Sequence, residues 1–265
     1  MDKDDEGLGT VYEKIMLNDF FCDLIKQYKI KTVLEMPARG MSGIPGMNSF
    51  EFARRKCQLT ILDNDKDRIA KIQKYWQKTK FNPNIIYKKD FRKLPYKDNS
   101  FDLVWNFSAL WYHDQADQII KEMVRVSKKL VFISVTNKKQ IGYFLRKRWL
   151  DKEFFNGVYE KWTDPKNIKT VLSEEDVKII DEGVIDVPPF PDTCMPLGDL
   201  LKKIGFKSRP KKNDKSWCWS TMEYYQGGDK FLPAKIAKYS FLEKLPLPWQ
   251  TKIIWAHHRF ILGKK

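Results

Sequence analysis

Between Thr32 and Thr136, short apolar runs alternate with stretches of helical period, and this alternation leaves few architectures open. "TVLEM" precedes a turn and a helical pattern over Asn48 to Lys56. "QLTILDND" precedes Asp65 to Lys78, where Ile69, Ile72 and Trp76 recur at helical spacing and Asp65 stands where an N-cap is wanted. "NIIYKKD" and "FDLVWNFSAL" give a third and a fourth strand, "QADQIIKEMVRVS" a helix and "KLVFISVT" a fifth strand. Strands separated by helices require right-handed crossovers, which predicts an α/β fold with a doubly wound, mainly parallel sheet covered on both faces. A leading helix is expected over Val11 to Tyr28, and the regular alternation weakens after Thr136.

In such a sheet the ligand lies outside the carboxyl ends of the strands. That edge collects the segment Glu35 to Gly46, then Asp63, Asp90 and Asn106. Gly40, Gly43 and Gly46 follow the first strand at a spacing that fits neither a dinucleotide fingerprint nor a P-loop. Asp63, with Asn64 beside it, ends the second strand, where an acid can accept hydrogen bonds from two ribose hydroxyls. Asp90 and Phe91 supply an acceptor and an apolar wall for an adenine ring. A cationic sulfonium suits this acidic edge, whereas a pyrophosphate is disfavoured by Glu35. "DND" also permits a metal-binding DxD reading, with Asp63 and Asp65 on one strand face.

The segment Lys89 to His113, "KDFRKLPYKDNSFDLVWNFSALWYH", resembles the middle of class I S-adenosylmethionine-dependent methyltransferases of the small-molecule type, which reads "D…LPF…SFD.V". The resemblance spans Thr32 to Thr136 and implies a Rossmann-like methyltransferase fold with seven strands, S-adenosylmethionine as cofactor and methyl transfer as activity. In that family the first strand ends in an acid followed by E-x-G-x-G-x-G. Here Glu35 is present, but Pro37, Arg39 and Met41 stand where those glycines fall. Counted back from Asp63, Gly46 takes the place of the last family glycine, so the turn reads as lengthened by about five residues, with Gly40 and Gly43 in the added part. By this resemblance the cofactor-binding set is Glu35, Gly40, Gly43, Gly46, Asp63, Asn64, Asp90, Phe91 and Asn106. Tyr112 and His113 follow the fourth strand as acid/base candidates, with packing around the cofactor as the other role open to them.

The chain is expected to form one domain over 1–265: a cofactor-binding core over 11–137, substrate-side insertions and a lid over 138–250, and a final strand over 251–265. The insertions mix Phe144, Trp149, Phe154, Phe155, Tyr159 and Trp162 with Arg146, Lys147 and Arg148. Later, Phe231, Leu232, Ile236, Tyr239, Phe241 and Leu242 mix with Lys235, Lys238 and Lys244. This composition suits a lid over a small, lipid- or quinone-like acceptor, and also a peripheral helix at an anionic membrane, to which the net charge of +15 adds attraction. Nucleic acid is a weaker expectation, because no recognition module, no "NPPY"-like motif and no cysteine pair for RNA chemistry is present. Methyl transfer to RNA or protein, and a non-catalytic module with a degenerate cofactor site, stay open as alternatives.

"MPLGDLLKKIGF" reads as a short helix, and the tail "WQTKIIWAHHRFILGKK" ends in a strand. Met1 to Thr10 lacks the layout of a secretory signal, and no apolar run approaches the roughly 18 residues of a membrane span, so a cytoplasmic location is expected. The four cysteines are scattered, and adjacent His257 and His258 on a strand should point to opposite faces; no metal is expected on that ground.

Overall fold

The computed structural model describes residues 6–40, 43–190 and 218–265. The helix expected over 195–206 lies outside the described residues. A two-residue strand β1 (Glu6–Gly7) leads into helix α1 (Leu8–Tyr28), and β1 pairs antiparallel with β8 (Cys218–Trp219). The main sheet holds β2 (Thr32–Glu35), β3 (Gln58–Asp63), β4 (Asn84–Tyr87), β5 (Phe101–Phe107), β6 (Ser127–Thr136), β7 (Lys178–Ile185) and β9 (His258–Lys264). Its order is β4-β3-β2-β5-β6-β9-β7. The first five strands run parallel, and β9 runs antiparallel to both β6 and β7. This is the doubly wound, mainly parallel seven-stranded sheet that the alternation and the resemblance predict.

Both faces are covered, so the central strands are buried on both sides and mostly apolar rather than alternating. All seven residues of β5 are buried. On one face lie α1, α2 (Phe50–Arg54) and α3 (Lys66–Trp76), with Phe21 of α1 packed against Phe52, Trp105 and Phe132. Full burial of such a ring contributes about 1.5–3 kcal/mol. The other face carries α4 (Ala116–Val126) and, beyond the short helices α5 (Ile141–Leu145) and α6 (Lys152–Phe155), α7 (Pro165–Glu174). Asp65 caps α3 as expected, accepting from Arg68 N at 3.0 Å, and Asp164 caps α7 the same way through Lys166 N.

The helix expected over Asn48 to Lys56 is shorter, Phe50–Arg54, because the turn before it is fixed by its own packing. Gly46 has φ +70, and a Cβ there would lie 2.7 Å from the Ile72 side chain. Its carbonyl accepts from Trp76 Nε1 at 3.0 Å. Gly46→Ala should therefore cost about 2–4 kcal/mol by combining an unfavourable backbone with overpacking. Urea unfolding measures it, and the loss should be smaller when measured in an Ile72→Ala background, which removes the γ carbons the new methyl would meet; an unchanged midpoint would mean that the turn repacks freely.

Candidate functional site

Strands β2, β3 and β5 end at one edge, and backbone bonds stitch their loops together. Met36 N donates to Trp105 O, Ala38 N to Leu62 O and Lys88 N to Asp63 O, at 2.8–2.9 Å. Asn106, fully buried, gives its amide to the carbonyls of Met36 and Pro37 at 3.5 and 3.4 Å, while its oxygen accepts from Ala109 N. Asn106 thus binds the loop after β2 to the loop after β5 and positions the edge.

Glu35 is 2% exposed and accepts from Ser49 Oγ at 2.6 Å; Ser49 in turn accepts from Trp105 Nε1. Burial, with a smaller push from Asp63, raises the Glu35 carboxyl to about 8, so it is protonated at pH 7. The acid at the end of the first strand therefore adds no charge to the free protein at neutral pH.

Asp63 is fully buried. Its Oδ1 accepts from Asp65 N at 2.9 Å and from Arg68 Nη1 at 2.7 Å, while Oδ2 has no partner among the described residues. An orphaned buried acceptor costs free energy until it is filled, and a ribose hydroxyl has the donor it lacks. On this observation the edge fits the nucleoside of S-adenosylmethionine. Asp65 is occupied as the cap of α3, which accounts for the second acid of "DND" without a metal.

The remaining predicted residues divide. Asn64 is exposed beside Asp63. Asp90 has both oxygens held by Arg92, whose guanidinium keeps the carboxyl at about 2. Phe91 is buried and meets His113 edge-on, with ring centroids 5.6 Å apart. Burial and the cations Arg39 and Arg68 depress His113 to about 4, so it is neutral at pH 7. Tyr112 carries the Arg39 guanidinium over its ring at 3.5 Å, so the turn after β2 and the turn after β5 meet at this stack.

Gly40 borders the undescribed pair 41–42. Gly43 has φ +76, and a Cβ there would run into the Glu6 and Thr10 side chains. Glu6 accepts from Ile44 N at 2.6 Å and from Lys14 Nζ at 2.5 Å, and Thr221 donates to its other oxygen. Close packing against α1 and α3 is thus what Gly43 and Gly46 serve in this structure.

Sequence reasoning missed Arg39, Arg68 and Arg92. Its geometry for the histidine pair also needs correcting. His257 sits in a bend before β9, so strand alternation does not apply, and both rings reach Asp186: His257 Nδ1 lies 2.9 Å and His258 Nε2 3.8 Å from its Oδ2.

Comparison with known proteins agrees with this architecture. Residues 42–133 match a family model described as a methyltransferase domain. A search of curated proteins gave no match. Among solved structures, the [4+2]-cyclase SpnF superposes with a TM-score of 0.55 at 14% identity, covering 94% of this chain and 80% of that one. Magnesium protoporphyrin IX methyltransferase (ChlM) from Synechocystis PCC 6803, with bound SAH, gives 0.51 at 14% identity, covering 66% and 78%. At such identities the likeness is one of fold, and the fold alone does not choose among chemistries.

Proposed function

We propose that this chain is a class I S-adenosylmethionine-dependent methyltransferase that methylates an oxygen, nitrogen or carbon of a small, lipid- or quinone-like acceptor taken from an anionic membrane surface. The observation that carries this reading is the two-sided segment after β6. Its inner side packs over the turn that bears Tyr112 and His113: Trp111 meets Phe154 and Phe155 at 5.4 and 6.4 Å, and Tyr159 N donates to Trp111 O at 2.7 Å. Its outer side leaves Phe144 60% and Trp149 65% exposed in an edge-to-face pair, beside exposed Arg148. Ile141 N donates to Ile254 O, and both of those side chains are also exposed. Exposed aromatics beside cations suit a headgroup boundary. Among the described residues no helix is long and apolar enough to cross a membrane.

S-adenosylmethionine supplies a methyl group on a sulfonium, already a good leaving group. The protein's task is then chiefly alignment. When the cofactor binds, Asp63 Oδ2 would accept from the ribose, Phe91 would lie against the base, and the aromatic roof would exclude water. Neutral His113 can take a proton from an acceptor hydroxyl or amine. Arg92 already holds both oxygens of Asp90 and Arg39 stacks on Tyr112, and this prior engagement is the observation that favours a degenerate, non-catalytic module.

Titration with S-adenosylhomocysteine separates the two: micromolar binding supports the enzyme, and no binding supports the degenerate module. Sedimentation with phosphatidylglycerol vesicles then tests the acceptor's source. Phe144→Ser with Trp149→Ser should lower vesicle binding at least tenfold and leave S-adenosylhomocysteine affinity unchanged. Equal binding to neutral phosphatidylcholine, or no effect of the pair, would count against the membrane.

A further inference from the structure

At the carboxyl edge, on the β6 side, α1, the end of β7 and the start of β9 bring Glu13, Asp186 and His258 together, all three buried. One ligand atom from each lies within 4.8 Å of the other two. His258 Nε2 is 3.4 Å from Glu13 Oε2 and 3.8 Å from Asp186 Oδ2. Both separations exceed the about 2.7–3.2 Å of an N–H···O hydrogen bond. They approach the spacing of atoms that share a cation, because bonds of about 2.1 Å at tetrahedral angles set their ligands about 3.4 Å apart.

We propose that Glu13, Asp186 and His258 form a binding site for a divalent first-row transition ion, with one nitrogen and two carboxylate ligands. Two further observations support it. Asp186 Oδ1, in a residue 1% exposed, has no hydrogen-bond partner among the described residues, so this buried carboxylate has unused capacity. The supports expected behind metal ligands are also in place. His258 Nδ1 stands 2.8 Å from Ser108 Oγ, which fixes the ring with Nε2 toward the two acids. His257 Nδ1 stands 2.9 Å from Asp186 Oδ2 and orients that carboxylate.

Imidazole with carboxylates matches zinc, manganese or iron(II) better than the all-oxygen sets of calcium and magnesium. The site ties α1 to the two antiparallel strands at the far side of the sheet. It involves none of Asp63, Phe91 or His113 as ligands, so zinc binding can be measured without S-adenosylmethionine.

The test is calorimetric titration of the chelator-treated full chain with zinc, followed by elemental analysis after gel filtration. One equivalent of zinc should bind. His258→Ala should weaken binding at least 100-fold and Glu13→Gln at least tenfold. Ser108→Ala, which leaves all three ligands intact, should weaken it about tenfold through loss of the orienting contact. Circular dichroism of each metal-free variant reports folding separately. Absence of stoichiometric zinc in the wild-type chain, or equal affinity in a folded His258→Ala, would overturn the site and leave a buried ionic cluster without a ligand.

Discussion

Glu35→Gln should make the protein more stable at pH 8 and above, by an amount that shrinks as the pH falls toward 4.5. The Glu35 carboxyl rises from 4.5 to about 8 on folding, because burial disfavours the anion more than the Ser49 hydroxyl favours it. Between those values the folded chain keeps a proton that the unfolded chain has released, so stability falls as pH rises through the window and levels off above about 8. At 1.36 kcal/mol per unit the full difference is on the order of 5 kcal/mol. Glutamine keeps an acceptor for Ser49 Oγ and carries no charge, so the variant should lose this slope. Urea midpoints of both chains from pH 4 to 9 measure it. Parallel curves would show that Glu35 is ionised in the folded state.

Asp63→Ala should weaken S-adenosylhomocysteine binding by about 10–150-fold, corresponding to about 1.5–3 kcal/mol for a hydrogen bond to a charged group. Oδ2 is the orphaned acceptor at the donor edge, and Oδ1 holds Arg68 at 2.7 Å. Removing the carboxylate deletes the ribose partner and leaves a guanidinium that is 20% exposed without its buried partner. Asp63→Asn keeps an acceptor and separates the two effects: it should retain more affinity than alanine and lose much of the Arg68 pairing. Unchanged affinity in a folded Asp63→Ala would place the nucleoside elsewhere.

The sheet was legible because its strands are short, apolar and separated by helical period, and buried parallel strands demand that pattern. The N-cap at Asp65 was legible for the same local reason. The charge partners were not. Arg68 and Arg92 each lie a few residues from the acid they bind, but the chain is rich in cations and only the fold selects which one turns inward. Protonated Glu35 was equally hidden, since its state depends on burial. The freedom of Gly43 and Gly46 reads in sequence as room for a ligand; in the fold Glu6 and Ile72 side chains also approach them closely. In the second insertion, Leu232 and Ile236 are buried in the core while Phe231 stays 75% exposed, a sorting set by packing against distant α1.

The placement of β9 bears on how this chain can be made. At the edge of the sheet, β7 pairs, among the described residues, with β9 alone, and β9 separates it from β6. A nascent chain that has exposed residues 178–185 can pack them on α1 and α7 but, among the described residues, has no strand to pair them with until residues 258–264 leave the ribosome. The Glu6 clamp on the donor turn likewise waits for Thr221. Strands left without a partner during synthesis are where chains associate wrongly. The donor edge can therefore assemble early, but its clamp and the far side of the sheet close only near the end of translation, and the interval between is when a chaperone has most to cover.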